Sequence, residues 1–396
     1  MRWYAAGEGS DSPLDRLLDL AQDMVTVGLR QLCCEQGIAG RSFARSVRNL
    51  KSAASIVMGE DLFRKVVESE GKAVLRTSGE EQLELDWSAA QCKTKAPPEQ
   101  EGNPPAVPAV EGLPSTVEGL PSTVEVSRMY ASCDGVIVPT TTEKEKRKRR
   151  ATTIAQRRQM PPERRRELPA LPGMKKGSDQ RYKQIYVSIF YDQTKERRLV
   201  GVTRKKLAGL AQLLKRDAAR VHLPAAEQRL GLVDGAICLR RHLEVLPLQE
   251  VMLDFRHLGE HVNDASRKTL GEATEAGKAF SDDVLHTARH EGYEPFFAKL
   301  LDWRTAQRGG KRRIADQLLN YVAERREMMP YDKCDQHGWD VGTGPMESMC
   351  GVTTDRIKGR GRRWDIDNAE AMMALEALQQ SNLWDQYWDK ALHRRN

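Results

Sequence analysis

The sequence predicts an α/β protein with a sheet of mixed direction, led by a small helical region and interrupted late by a block of helices. Three observations carry that expectation. Short β-branched and aromatic runs alternate with amphipathic segments over residues 126–263. Helical spacing without strand signals fills residues 14–76, and a second helical pattern covers Ala265–Arg326 with one break at Gly309–Gly310.

Taken in order, Leu14, Leu17, Leu18, Ala21, Met24, Val25 and Leu29 recur near helical spacing. SFARSVRNLKSAAS and EDLFRKVVESEGKAVL continue it on either side of Met58–Gly59–Glu60. Two short helices across a tight turn read either as a helix-turn-helix, presenting Arg64, Lys65 and Lys72, or as a bundle that packs on the next domain. Glu68 and Glu70 share the second helix and keep the readings level. Residues 1–93 are therefore assigned as a helical region with DNA binding as its candidate role. Residues 94–125 read as a disordered linker: seven of the 18 prolines fall there, and VEGLPST occurs twice in tandem from Val110 to Thr123. Two copies are too few for a solenoid.

Beyond the linker, RMYASCDGVIVP reads as a strand, and the Lys/Arg/Pro-rich stretch 144–183 as a mobile loop. KQIYVSIFYD and RRLVGVT form a hairpin across QTKE. KLAGLAQLLKRDAARVHL is an amphipathic helix, QRLGLVDGA a strand, ICLRRHLEVL a short helix and QEVMLDFRH another strand. Residues 126–263 thus hold the sheet, 264–330 a helical insertion, and 331–396 the closing helices.

Composition bounds the function classes. Across 396 residues, 39% are hydrophobic, 30% charged and 6% aromatic, and no run approaches eighteen apolar residues, so no membrane-spanning helix is expected. Acids in MRWYAAGEGSDSPLDRLLDL occupy the place of a signal peptide's apolar centre, so a cytoplasmic location is expected. Seven cysteines without any C-x-x-C spacing argue against a disulfide framework and a cysteine zinc site. Net charge is +7, yet residues 144–183 hold fifteen Lys/Arg against four Asp/Glu, which leaves the rest of the chain acidic. Such concentration suits a polyanionic partner, or else a solvated loop.

The acids at the strand ends are the chemical candidates, because ligands of α/β sheets gather where strands release the chain. Asp134 in SCDG, Asp234 in LVDGA and Asp254 in MLDFRH each follow apolar residues. Asp-Gly is also ordinary turn chemistry, so any single pair is weak evidence. Glu347 adds to it, sitting in the first turn of a helix that starts at Gly-Thr-Gly-Pro. Arg356, Lys358, Arg360, Arg362 and Arg363 follow within eight residues. Carboxylates from separate elements with a basic run suit a site that holds Mg²⁺ and a phosphate together. His286 and His290 have metal-binding spacing, but no third ligand is placed beside them.

In this order and spacing, the chain resembles the DDE transposases of bacterial insertion sequences, most closely the Kra-type (ISKra) family. The resemblance is carried by Cys133–Asp134–Gly135, Val233–Asp234–Gly235–Ala236, Leu253–Asp254–Phe255–Arg256–His257 with Glu260, Val341–Gly342–Thr343–Gly344–Pro345–Met346–Glu347–Ser348, and the run from Arg356 to Trp364. It spans most of Met129 to Trp388; Thr343 stands where the family commonly has Ser.

The resemblance implies an RNase H-like catalytic core with an all-helical insertion before the Glu-bearing helix. It implies a catalytic and metal-binding triad of Asp134, Asp234 and Glu347, with Asp254 and His257 as supporting residues or Asp254 as the alternative second acid. It further implies two Mg²⁺ (or Mn²⁺) ions, double-stranded DNA at element ends and target, and a homo-oligomer on DNA in the bacterial cytoplasm, nucleoid-associated when bound. Arg356, Lys358, Arg360, Arg362 and Arg363 are the expected DNA contacts. A catalytically idle, transposase-derived DNA-binding protein and a plain RNase H-like nuclease are the alternatives.

Overall fold

The computed structural model describes residues 3–4, 10–11, 25–80, 82–97 and 123–393. The protein is mixed α/β, with one mixed sheet and many helices. Trp3–Tyr4 pairs with Ser10–Asp11 in a separate two-stranded antiparallel ribbon, and the strands of the mixed sheet are β1 (Lys93–Ala96), β2 (Val124–Pro139), β3 (Tyr182–Asp192), β4 (Arg198–Thr203), β5 (Gln228–Val233) and β6 (Glu250–Leu253). Their order is β4–β3–β2–β5–β6, with β1 antiparallel on the first residues of β2. β5 and β6 run parallel to β2, whereas β3 opposes both β2 and β4. The long β2 is central, and its residues 127–133 are buried almost without interruption, as a strand covered on both faces requires.

Before the sheet come α1 (Val27–Ala39), α2 (Phe43–Ala54) and α3 (Glu60–Gly79). The helices of residues 1–93 share the main core: α3 buries Phe63, Val66, Val67 and Val74 and packs on α14 (Ile366–Gln380), while Phe63 meets the Phe43 ring of α2. A Cβ on Gly71 would meet the Ala371 carbonyl carbon at 2.6 Å, so only glycine allows this approach. The expected helix from Leu14 to Met24 lies outside the described residues, as does most of the linker, 98–122. The ends of that segment are nevertheless paired, Lys93 with Ser127 and Ala96 with Val124, so it leaves and re-enters the fold at one place.

The stretch 144–183, expected as a mobile loop, carries α4 (Glu143–Gln159) and α5 (Pro162–Glu167). Its physical reason is a capping box: Thr142 accepts from the Glu145 N–H while Glu145 accepts from the Thr142 N–H. After β4 come α6 (Lys206–Arg220) and α7 (Ile237–Leu243). The helical block begins earlier than residue 264, since α8 (Phe255–Leu270) starts directly after β6. It continues through α9 (Glu275–His290), α10 (Tyr293–Ala306) and α11 (Gly309–Ala323), which pack on one another. α12 (Tyr331–His337), α13 (Gly344–Lys358), α14 and α15 (Trp384–His393) close the chain. Among the described residues, no helix is long and apolar enough to cross a membrane.

Candidate functional site: acids around the ends of β2, β5 and β6

Asp134 lies within β2 rather than at its end, opposite Val187 of β3. Its Oδ1 accepts from the Gly135 N–H at 2.5 Å, and Oδ2 faces the Cys350 thiol at 3.7 Å. Burial raises the Asp134 pKa, the Gly135 N–H opposes that, and the neighbouring Asp234 charge raises it further. Asp234 follows the last residue of β5, the parallel neighbour of β2. Gly235 after it adopts φ +94°, and a Cβ there would meet the Leu253 side chain and the Tyr321 hydroxyl within 3 Å. The Asp-Gly pair therefore performs turn chemistry, with Asp234 Oδ1 accepting from the Ala236 N–H at 3.0 Å. That is the one hydrogen bond Asp234 makes among the described residues, and Oδ2 stays open.

Asp254 differs in every respect. It caps α8 rather than ending a strand, so His257 stands in the first turn of a helix. Its Oδ1 accepts from the Arg256 N–H at 2.6 Å and the His257 N–H at 3.4 Å. Its Oδ2 accepts from the Thr343 N–H at 2.7 Å and from the Thr343 hydroxyl. The residue is 1% exposed. The Phe255 N–H donates to the Val341 carbonyl at 2.8 Å beside it. Asp254 and Phe255 thereby fasten the Gly-Thr-Gly turn to the end of β6, and the turn launches α13.

Glu347 sits in the first turn of α13, its side chain 45% exposed. Arg256 approaches its carboxylate at 3.5 Å and the His257 Nε2 at 3.9 Å, while His257 Nδ1 meets Glu260 at 3.3 Å. Cys350, three residues along the same helix face, looks onto Asp134. Burial pushes its thiol well up, so it is a neutral neighbour and not a nucleophile.

Three residues meet most closely. Asp254, His257 and Glu347 offer ligand atoms all within 4.8 Å of one another, and among the described residues no other group of three or more does so. Asp134, Asp234 and Glu347 occupy one neighbourhood without closing to that spacing. As a cation site the close trio is poor, because Asp254 has both oxygens saturated by N–H and O–H donors and would have to surrender them. Asp134 and Asp234 are the better hard-ion donors: two like charges side by side, each with an oxygen not taken by a backbone donor. His286 and His290 join no such group; His290 pairs with Asp335 at 2.8 Å.

The expected DNA contacts divide. Arg356 is 7% exposed, donates to the Gly37 carbonyl at 3.0 Å, and lies over the Phe43 and Trp364 rings at 4.6 and 5.1 Å. Burial lowers its pKa to about 10. It ties α1 and α2 to the C-terminal helices and is not available to DNA, which corrects its assignment. Arg362 donates to the Arg356 carbonyl at 2.7 Å, and Arg363 pairs with Glu145 at 2.6 Å. Lys358 and Arg360 are exposed. What the sequence does not show is the bond from Thr343 to Asp254 and the approach of Cys350 to Asp134, because those partners are 89 and 216 residues away. Comparison with protein-family models and with curated proteins found no match to this chain.

Proposed function

We propose that the protein is a DDE-type DNA transposase with an RNase H-like core, cutting at insertion-sequence ends and joining the released 3′ ends to target DNA. The observation that carries this reading is the pair Asp134 and Asp234 on adjacent parallel strands, with the Glu347 helix seated over Asp134. The strand order β4–β3–β2–β5–β6, with β3 alone reversed among those five, supports it.

Asp134, Asp234 and Glu347 would hold divalent ions, Mg²⁺ or Mn²⁺. Such ions supply the charge that activates an attacking oxygen and stabilises a leaving one at phosphorus. The protein's own part is to keep Asp134 half-buried beside a second carboxylate, and burial first, with the Asp234 charge after it, raises the Asp134 pKa. Arg256 and His257 hold Glu347 beside them, and Asp254 fixes the turn from which Glu347 projects. Lys358, exposed near Cys350, and Arg360, also exposed, would meet the phosphate backbone on this reading. Duplex DNA is the partner on this reading, bound by a homo-oligomer in the cytoplasm.

The test is cleavage of duplexes carrying the inverted repeats found in the genomic flanks of the coding sequence, with Mg²⁺, Mn²⁺ or EDTA. The expected products are metal-dependent 3′-hydroxyl ends and joined strands, lost in Asp134→Asn, Asp234→Asn and Glu347→Gln. Nicking without joining would make the protein a nuclease, and end binding without cleavage an idle descendant.

A further inference from the structure

Helix α4 has no buried residue at all, although it is 17 residues long. Six of its eight basic side chains fall on two opposite faces. At 100° per residue, Lys146, Arg150 and Arg157 lie within about 40° of arc. These three bind the chain that returns alongside the helix: Lys146 to the carbonyls of Lys175 and Lys176, Arg150 to Pro172, and Arg157 to Pro169. Helix and return segment therefore form one braced arm, rooted where Thr142 bridges Ser178 and Thr140 bridges Trp364. Lys146–Asp365 at 2.6 Å and Arg363–Glu145 fasten the root to the loop after α13. Lys144, Lys148 and Arg158 lie within about 80° on the side away from the return segment, and all three are exposed.

We infer that this arm is a second, sequence-independent contact for the phosphate backbone of duplex DNA, made by Lys144, Lys148 and Arg158 outside the acidic site. The inference rests on the reading of that site as DNA-processing. The arm's root at Pro139 is five residues up β2 from Asp134, about 17 Å at strand rise. The helix then extends about 25 Å, the span of about seven phosphates on one strand. Lys358 and Arg360 lie in the chain between Glu347 and Trp364, the residue that bridges Thr140 at the root. An anionic membrane is the competing polyanion, and the helix lacks the apolar face that interfacial helices bury among acyl chains.

The test is binding of the full-length protein to a duplex of about 40 base pairs and arbitrary sequence, in EDTA, across a salt series, beside vesicles of phosphatidylserine. The triple variant Lys144→Gln/Lys148→Gln/Arg158→Gln should melt at the unchanged temperature. It should bind the duplex about tenfold or more weakly at moderate salt, with the log–log salt slope shallower by about two to three. Removing the same charge at Lys311, Arg312 and Arg313 on α11 should leave the slope as it was. An unchanged slope in the arm variant, an equal loss in the α11 variant, or tighter binding to vesicles than to DNA would each overturn the arm. Because binding is read without metal, the arm can fail while cleavage succeeds, and the reverse.

Discussion

The ends of β5 and β6 carry the same residue and opposite chemistry. Asp234 and Asp254 each leave a buried parallel strand after an apolar pair. Asp254 is sealed, with four donors on two oxygens from two different elements. Asp234 has one donor and an open oxygen. A buried carboxylate that is fully hydrogen-bonded holds structure together, whereas one left partly open beside another acid still has lone pairs to offer. The same contrast sorts the basic residues: Arg356 is enclosed by Phe43, Trp364 and the Gly37 carbonyl, whereas Lys144, Lys148 and Arg158 stand in solvent.

Substitution at the two aspartates breaks or sharpens this most directly. Asp234→Ala should reduce metal-dependent cleavage about a thousandfold or more, worth about 4 kcal/mol, while the melting temperature barely moves. Asp254→Ala should do the opposite first. It strands the buried Thr343 donors and uncaps α8, at a cost of about 3 kcal/mol in unfolding free energy. Equal destabilisation by both variants in denaturant melts would erase the distinction between an open and a sealed acid. Arg356→Ala should cost about 2–3 kcal/mol through the lost ring contacts and carbonyl bond, and it should leave the salt slope of DNA binding alone. A shallower slope there would return Arg356 to the DNA contacts.

Asp134 offers a subtler check through pH. Its folded pKa is raised, so its contribution to stability is full below the unfolded value and is lost as pH rises through the folded one. At neutral pH the metal-free protein therefore carries an unfavourable charge at Asp134, mainly because the carboxylate is desolvated and further because Asp234 is beside it. Asp134→Asn should raise the metal-free melting temperature by about 1–3 °C at pH 7 and leave it nearly unchanged at pH 4. An equal shift at both pH values would assign the effect to packing instead of charge.

Strands were legible in the sequence because β-branched runs such as IYVSIFY fit a pleated, covered surface whatever lies around them. Asp134 and Asp234 were legible for a similar local reason, an acid and glycine directly after apolar residues. The cap at Asp254 has a readable signal in the sequence, since an Asp before FRHLGEHV is a helix start. So does the arm, whose Thr142-x-x-Glu145 is a capping box written in the chain. Arg356 had none. Its burial is decided by Phe43 and Gly37, more than three hundred residues earlier, and a basic run reads the same whether aromatic rings enclose one member or not. The pairing at the two ends of the proline-rich segment had no local signal either, because β1 meets β2 only across it.

That pairing sets the smallest expected effect. Segment 97–123 begins and ends beside a strand pair, so 27 residues close a loop whose mouth is fixed by the ladder from Lys93–Ser127 to Ala96–Val124. Removing one VEGLPST copy shortens the loop to 20 residues, and closure entropy changes only with the logarithm of length. The gain is about 0.3 kcal/mol, at the edge of what denaturant melts resolve. Cleavage and DNA affinity should be unchanged, since the deletion alters neither the open acids nor the exposed bases and moves no element of the fold relative to another. A deletion variant that loses DNA binding while keeping its melting temperature would place a DNA contact inside the duplicated heptapeptides, and the division of open from sealed residues would have to be extended to that segment.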